Sequence, residues 1–442
     1  MRRRHGQCRG LGALGAGPAG ANAWGVLRHS VRHALYYRSL QPSTPDTLLC
    51  VCNYPSNTGY AWDFIEGLYA EIARRLATRG IRTLVAYPKI VDPPRTLAGS
   101  PAVAVELDAT LHSERSIRET FNFCRHENVK VFYLTDQPAR SMGYGLVRIA
   151  GVRRVVVHDH ASGARSIPTG VRRTIKGALS RLPLVVADVV VAVSDYVARR
   201  QVETGLIPAR RVVRVWNGIP VPPLPPDGER PLHAALDVDP ARPVILCACR
   251  CAPEKGVPVL LKAFARLMAV HAGTGPRPLL VYMGEGPQFE EVRRTREGLA
   301  AKADILLTGY RRDAGALTVG ADICAMPSLW QDALPLAVMQ PMALGRPVVA
   351  SAVGGIPEMI VDGETGLLVP PNDEAALAAA LASLLADPAR RERFGREGRA
   401  RVARLFTPAA QIDALTSLVA EGFGLGRDAL APAAGAVGTA PR

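Results

Sequence analysis

Two cations stand on either side of a short loop in the second half of the chain. Arg250 ends an apolar run typical of a strand, and Lys255 lies five residues further on, beside Gly256 and in front of a stretch with helical spacing. Cations next to a glycine and a helix N-terminus are a common arrangement for binding a diphosphate. A solvated loop with unrelated charges has the same pattern. Spacing alone therefore leaves both interpretations open.

A second group of polar residues ends an apolar run in the first half. His158, Asp159 and His160 follow a valine-rich segment that starts at Arg153. Ligands of parallel α/β folds bind at the carboxyl ends of the strands, so this group is expected to face a cleft. A histidine in such a run is more often structural, and that alternative stays open.

The third candidate pair is Asp332 and Gln340, which stand eight residues apart across a loop and the start of a helix. Both side chains accept hydrogen bonds, and that of Gln340 also donates them. Their spacing does not by itself assign a ligand.

The elements that would position these residues alternate between strand and helix. Leu48–Cys52 is an apolar run, Asp63–Thr78 has apolar residues at helical spacing, and Ile81–Tyr87 is again strand-like. This order predicts a parallel sheet. Pro220–Pro226 interrupts the pattern, which restarts at Arg242. Two such units would form a ligand cleft between the carboxyl edges of two sheets.

Six segments follow from this organisation. They are an N-terminal extension at 1–46, disordered or partly helical; a first α/β domain at 47–219; a Pro-rich linker at 220–242; a second α/β domain at 243–405; a C-terminal helix at 406–425, with a return to the first domain as one expectation; and a disordered tail at 426–442. Within the extension, Val26–Leu40 is predicted to form a basic amphipathic helix.

Composition excludes several classes of protein. The 442 residues are 48% hydrophobic and 21% charged, which fits a globular protein rather than a disordered chain or a disulfide scaffold. No apolar stretch reaches the ~18 residues that a membrane span needs. The eight cysteines show no metal-ligand spacing, so we expect reduced core cysteines and no metal site.

The positive charge is confined to the first half. Residues 1–228 hold 31 Lys and Arg against 16 Asp and Glu, whereas the rest of the chain holds 23 of each. A basic half predicts an anionic partner, such as a phosphate-bearing substrate, a membrane surface or nucleic acid. Aromatic residues are only 5% and no recognition motif is present, so nucleic acid is not expected.

The motifs of the second half resemble those of the retaining glycosyltransferases of family 4, whose GT-B fold has two Rossmann-like α/β domains facing across a cleft. The family pattern is a Glu, seven residues and a second Glu; here Asp332 and Gln340 stand at those two positions. Other segments match in order and spacing: Val215–Ile219, Cys249–Gly256, Gly284–Pro287, Leu306–Tyr310, Gly354–Glu358 and Gly363–Gly366. The resemblance covers Leu48–Gly422 and is strongest over Val244–Ala403.

The resemblance implies a role for each candidate residue. Arg250 and Lys255 would neutralise the leaving diphosphate, so neither a metal nor a cofactor is required. Asp332 would hold sugar hydroxyls, Gln340 the ribose diol, and His158 would contact the transferred sugar. Gly59 would lie in a loop near the donor phosphates, and Gly309 and Tyr310 would contact the base. The loop of Leu334, Pro335 and Leu336 would contact the phosphate or the sugar.

The implied activity is a metal-independent, retaining transfer of a hexosyl-like group from a UDP- or GDP-sugar. The acceptor would be a saccharide or lipid-linked saccharide in cell-surface polysaccharide or glycolipid synthesis. Asp332 is one methylene shorter than Glu and Gln340 lacks the charge, which predicts donor binding weaker by about 1 kcal/mol. The alternative is a GT-B protein without transferase activity, either epimerase-like or a silent binder of nucleotide sugars.

A basic segment suggests where the acceptor is met. Val171–Val186 interleaves basic residues, Arg172, Arg173, Lys176 and Arg181, with apolar ones, Ile175, Leu179, Leu182 and Leu184. This pattern predicts an interfacial helix, although an ordinary surface helix has the same pattern. The expected location is the cytoplasm. Peripheral association with the anionic inner face of the cell membrane is a further expectation.

Overall fold

The computed structural model describes residues 44–426, apart from 59, 225, 227–228 and 272–275. Three predictions lie outside the described residues: the extension up to residue 43 with its helix at Val26–Leu40, the contact assigned to Gly59, and the tail from residue 427. None of the helices in the described range combines the length and apolarity that a membrane crossing requires.

Seven parallel strands from the first half form one sheet, in the order β3-β2-β1-β4-β5-β6-β7. The strands are Thr47–Val51 (β1), Arg82–Tyr87 (β2), Val103–Glu106 (β3), Val129–Thr135 (β4), Arg154–Asp159 (β5), Val189–Ala192 (β6) and Val212–Arg214 (β7). The helices are Tyr60–Ala77 (α1), Glu114–His126 (α2), Gly143–Ile149 (α3), Gly170–Leu179 (α4) and Asp195–Glu203 (α5). The central strands are apolar runs buried on both faces, as expected for a parallel sheet covered by helices.

Six parallel strands from the second half form another sheet, in the order β10-β9-β8-β11-β12-β13. The strands are Val244–Ala248 (β8), Leu279–Met283 (β9), Ile305–Leu307 (β10), Ile323–Met326 (β11), Val348–Ser351 (β12) and Gly366–Val369 (β13). The helices are Pro231–Leu236 (α6), Val257–Val270 (α7), Phe289–Glu297 (α8), Ala314–Leu317 (α9), Leu336–Ala343 (α10), Ile356–Met359 (α11), Glu374–Ala386 (α12), Pro388–Leu405 (α13) and Pro408–Ala420 (α14). The prediction of two α/β units, each with a parallel sheet, is confirmed.

Strand order brings the candidate residues to the carboxyl edges of the sheets. In the first sheet Thr135, the last residue of β4, pairs with His158 of β5. In the second sheet β8 and β11 are neighbours, so the loops that follow Ala248 and Met326 emerge side by side. Lys255 lies in the first of these loops and Asp332 in the second, which explains how residues 77 positions apart can meet.

The predicted helix at Val171–Val186 is wrong in its extent. The helix α4 ends at Leu179, and Leu182 and Leu184 lie in the irregular segment that follows. Pro183 explains the end, because a proline disfavours helical backbone in the residue before it and cannot supply an N–H for the next turn.

The last helix packs against the first sheet although it follows the second in the chain. Leu415 and Val419 of α14 share a buried core with Leu48 and Val131, two strand residues of the first sheet. The chain also passes between the two units near Gly218, whose N–H donates to Gln411 Oε1 at 2.9 Å. The two α/β units are therefore held together by chain segments from both halves.

Candidate functional site

A buried carboxylate holds Lys255 at the carboxyl edge of the second sheet. The Nζ of Lys255 lies 2.6 Å from Asp332 Oδ1, and the hydroxyl of Ser328 donates to Asp332 Oδ2 at 2.5 Å. Asp332 is only 3% exposed, so its charge is stabilised by these partners rather than by water. The ammonium group of Lys255 is thereby fixed in position at this edge of the sheet.

The backbone around Asp332 is fixed by the glycine pair that follows β12. The N–H of Gly355 donates to the carbonyl of Asp332 at 2.8 Å. Gly354 has a φ of +58°, and a Cβ at this position would lie 2.0 Å from the same carbonyl oxygen. Only glycine permits this approach, so the motif Gly354-Gly355 is explained by the packing of the Asp332 loop.

Arg250, the second predicted cation, lies at the same edge of the sheet, two residues after the end of β8. Its side chain is exposed and makes no ion pair with any residue in the described range. Lys255 ends a 3-10 turn at Pro253–Lys255, and Gly256, with a φ of +65°, leads from there into α7. A Cβ at Gly256 would lie 2.1 Å from the carbonyl oxygen of Pro327, so the loops after β8 and β11 are in close contact.

The loop at Leu334, Pro335 and Leu336 leads into the N-terminus of α10. Leu334 is buried, and its carbonyl accepts from Asn217 Nδ2 at 3.3 Å. Pro335 is the N-cap residue of α10, so the first N–H groups of this helix lie at the carboxyl edge of the sheet. Such N–H groups carry partial positive charge and suit an anion.

Gly309 and Tyr310, two further predicted contacts, follow β10 at the same edge of the second sheet. The N–H of Gly284, after β9, donates to the carbonyl of Gly309 at 2.9 Å. Gly309 has a φ of +71°, and Tyr310 beside it is 59% exposed, so its ring is open to a ligand.

Gln340 lies one turn into α10 and lines a cavity of about 800 Å³. The cavity lies between α10, α9 and α1, and apolar side chains such as Phe64, Leu336 and Val319 form most of its wall. Asp63 is the acidic residue of this wall. The carboxylate of Asp63 and the amide of Gln340 are polar side-chain groups of this wall.

His158 is buried at the end of β5, and a tyrosine fixes its ring. Its Nδ1 lies 2.7 Å from the hydroxyl oxygen of Tyr133. Burial lowers the pKa of His158 well below its usual range, and the neighbouring ring of His160 lowers it further. The imidazole is therefore neutral at pH 7, which suits a hydrogen bond to a neutral oxygen. Sequence inspection missed Tyr133 because it looks like any core residue of an apolar strand.

The loop after His158 in the first unit contacts the loop of Asp332 in the second unit. The N–H of Gly163 donates to the carbonyl of Gln331 at 2.7 Å, and Ser162 Oγ lies 3.5 Å from Asp332 Oδ1. The carbonyl of Gly163 is held in turn by Arg200 Nη1 at 3.0 Å and by the hydroxyl of Tyr196 at 3.1 Å. The loop after His158 therefore reaches the loop that carries Asp332.

Glu358 is the main polar contact that sequence reasoning did not assign. From the second unit, its carboxylate accepts from the backbone N–H groups of Asp195 and Tyr196 at 2.8 Å each. These N–H groups open α5 of the first unit, where a negative charge is favoured. The indole N–H of Trp216 also donates to Glu358, at 3.1 Å. No sequence pattern connects positions 195 and 358, so only the tertiary structure reveals this contact.

The structure brings together Lys255, Asp332 and the start of α10, with Arg250 on the same edge. Asp332 was predicted to hold sugar hydroxyls, yet both of its carboxylate oxygens accept from protein groups. The ligand roles of these residues stay predictions.

Comparisons with known proteins define the class. Residues 229–401 match the family model described as glycosyl transferases group 1. The chain is 31% identical over 289 residues to the GDP-mannose-dependent alpha-(1-6)-phosphatidylinositol monomannoside mannosyltransferase of Mycolicibacterium smegmatis, covering 62% of this chain and 72% of that protein. It is 28% identical over 374 residues to the GDP-mannose-dependent monoacylated alpha-(1-6)-phosphatidylinositol monomannoside mannosyltransferase of Corynebacterium glutamicum, covering 80% of this chain and 93% of that one.

A solved structure shows the same fold. The glycosyltransferase from Rickettsia africae superimposes with a TM-score of 0.72 at 19% identity, over 86% of this chain and 99% of that one. The fold is GT-B, as the resemblance implied. This chain belongs to the glycosyl transferases group 1 family. It is a glycosyltransferase, and it resembles the glycosyltransferases of family 4.

The contact made by Glu358 can be tested by substitution. Glu358→Ala should lower the free energy of unfolding by about 2 kcal/mol, because it removes a charged acceptor from a helix N-terminus and three hydrogen bonds. Glu358→Gln should cost about half as much, since the amide keeps one acceptor oxygen. Chemical denaturation measures both.

The matched control is Glu364→Ala, an exposed carboxylate in the turn that follows α11. Its effect should stay within about 0.5 kcal/mol of wild type. Equal effects at the two positions would show that Glu358 does not tie the units together.

Proposed function

We propose that the protein transfers a hexosyl group from a nucleotide-diphosphate sugar to an acceptor, with retention of anomeric configuration and without a metal ion. The observation that carries the proposal is the ion pair of Lys255 with the buried carboxylate of Asp332, which lies three residues before the N-cap residue of α10. With Arg250 on the same edge, this gives two cations and a helix N-terminus for one diphosphate.

The cations and the helix N-terminus would stabilise the charge that develops on the leaving diphosphate. The bond between the anomeric carbon and the phosphate oxygen breaks, and the acceptor oxygen bonds to the same face of the sugar. The acceptor's proton passes to a phosphate oxygen. In this scheme the metal-independent catalysis rests on Arg250 and Lys255.

We assign the remaining donor contacts as the resemblance implies. Gln340 holds the ribose diol, Gly309 and Tyr310 contact the base, and His158 donates to the sugar. Asp332 either binds the sugar or acts by positioning Lys255. Its hydrogen bonds to Lys255 and Ser328 favour the second role. The names of the mannosyltransferase relatives favour GDP-mannose as the first donor to test, with UDP-sugars next.

The alternative is a GT-B protein that binds a nucleotide sugar without transferring it. The replacement of both family glutamates, by Asp332 and Gln340, favours this alternative. A turnover assay separates the two proposals.

The proposed acceptor is a saccharide or a lipid-linked saccharide in glycolipid or cell-surface polysaccharide synthesis, met at the cytosolic face of a membrane. The supporting surface, here called the basic apolar face, is formed by residues 142–149 with α3, residues 167–179 with α4, and the segment 182–184. Its exposed apolar side chains are Met142, Leu146, Ile149, Ile167, Val171, Ile175, Leu179, Leu182 and Leu184. Residues 160–187 contain five Arg and Lys and no Asp or Glu.

The parts of this face are joined to one another. Arg148 of α3 donates to the carbonyls of Pro183 and Val186, at 3.3 and 3.0 Å. A Cβ at Gly145 would lie 3.4 Å from the carbonyl of Leu184. Apolar side chains surrounded by cations suit the acyl boundary and headgroups of an anionic bilayer, and each cation near it contributes about 1 kcal/mol.

Release of nucleotide from UDP- and GDP-sugars tests the proposed reaction. We expect turnover with at least one donor, unchanged in EDTA, and a fall of about tenfold or more in Arg250→Ala and in Lys255→Ala, because each removes a cation from the leaving group. Lys262→Ala, which removes a half-exposed lysine from α7, is the matched control and should behave as wild type. Turnover lost in EDTA and restored by a divalent ion would contradict metal independence, and absence of turnover with every donor would favour the silent binder.

Sedimentation with vesicles tests the membrane proposal. Binding to vesicles with anionic lipid should exceed binding to neutral ones and should fall as salt rises. Substituting Arg172, Arg173 and Lys176 by Glu should abolish it, whereas Arg393→Glu with Arg396→Glu, on α13 of the second unit, should not. Equal binding to neutral and anionic vesicles, or none to either, would exclude the basic apolar face as a membrane contact.

A further inference from the structure

Buried polar atoms without a hydrogen-bond partner collect at the carboxyl edge of the first sheet. Among the described residues they include the amide oxygen of Gln137 and the Nε2 atoms of His158 and His160. Gln137 is 6% exposed and follows β4; His158 lies near the end of the neighbouring strand β5, and His160 directly follows that strand. Buried polar atoms in folded proteins are nearly always satisfied, so three at one edge indicate that a ligand supplies the partners.

A strained residue fixes this group of side chains. Asp136 has a φ of +53°, a region that residues other than glycine rarely adopt. In this conformation its N–H donates to the carbonyl of His158 at 2.9 Å, and its Oδ1 accepts from the N–H of His160 at 2.7 Å. The imidazole rings of His158 and His160 lie 4.0 Å apart, and Phe64 packs edge-on against His160. The group is therefore preorganised.

The hydrogen-bonding character of the group follows from its partners. The hydroxyl of Tyr133 has His158 Nδ1 as its one hydrogen-bond partner in the described part of the chain, so it donates there and leaves a hydrogen on His158 Nε2. The amide of Gln137 offers an acceptor and donors.

The nearby cation is already compensated, and burial raises the pKa of the Asp136 carboxyl to about 7. Burial lowers the pKa of His160 to about 4, so both rings are neutral at pH 7. Arg200, the nearest cation on α5, lies 2.9 Å from Asp159 in a buried ion pair. Neutral donors and acceptors match hydroxyl groups, whereas a phosphate would require an uncompensated cation.

We infer that Gln137 and His160, beside the donor-sugar contact assigned to His158, form a subsite for the hydroxyl groups of an uncharged ring, a saccharide or a cyclitol, which is the part of the acceptor that receives the sugar. The inference rests on the proposed function, because the diphosphate is assigned to the second sheet and the first sheet then faces the acceptor. The loop at 160–163, which reaches the Asp332 loop, would bring this ring next to the donor.

The test uses Gln137→Leu and His160→Ala, with Thr416→Val as the matched control. Thr416 is a buried residue of α14 whose hydroxyl also lacks a partner, but it lies away from the carboxyl edge. Binding of methyl α-D-mannopyranoside, myo-inositol and mannose 6-phosphate is followed by saturation-transfer NMR. Hydrolysis of the donor without acceptor is measured in parallel, since it reports an intact fold and donor site.

At least one neutral ring should bind wild type more tightly than the phosphorylated sugar. Its affinity should fall about tenfold or more in both variants and stay unchanged in Thr416→Val, while donor hydrolysis stays within about twofold. Preference for mannose 6-phosphate, no binding of either neutral ring, or unchanged affinity in the variants would overturn the inference. An equal loss of donor hydrolysis would also overturn it, by assigning these residues to the donor. Absence of donor hydrolysis in wild type is the separate result that would count against the proposed function.

Discussion

The ion pair between Lys255 and Asp332 is the interaction on which the candidate site depends. It joins the loops after β8 and β11, so it sets the distance between the two segments that would surround a diphosphate. Because Asp332 is buried, removing its partner would leave a charge without compensation, at a cost of about 3–5 kcal/mol. The pair thus fixes a cation at a defined place, which a lysine on an exposed loop could not achieve.

The second constraint is the contact between the two α/β units. Glu358 caps α5 from the opposite unit, and α5 carries Arg200, which binds Asp159 beside His158. A continuous series of contacts therefore connects the second unit with the end of β5. The carbonyl and N–H of Gly163 add a direct contact between the loops of the two sheets. The cleft residues of the first sheet are consequently positioned by groups from both units.

Much of this arrangement was predictable from sequence, because it rests on local patterns. Apolar runs alternating with helical spacing indicated two parallel sheets, and the polar residues that follow strands indicated the edges where ligands bind. The end of α4 was missed, since apolar and basic residues continue past Leu179 and only Pro183 marks the break. The partners of Asp332 were missed for another reason: Ser328 is four residues away, but Lys255 is 77, and pairing at that distance depends on strand order. Tyr133 has no local signature, and Glu358 belongs to the matched segment Gly354–Glu358 without any sign of its partner. Their contacts with His158 and α5 therefore emerge only from the assembled fold.

A double-mutant cycle on the affinity for GDP and UDP tests the central claim, that Asp332 acts on the diphosphate through Lys255. Calorimetry would compare wild type, Lys255→Met, Asp332→Asn and the double variant with the tighter-binding nucleotide. The account predicts that each single change weakens binding, Lys255→Met by about tenfold or more, and that the double variant binds no more weakly than Lys255→Met alone. If Asp332→Asn leaves the affinity for the free nucleotide unchanged, or if the two losses add, Asp332 does not act through Lys255 and the claim is contradicted.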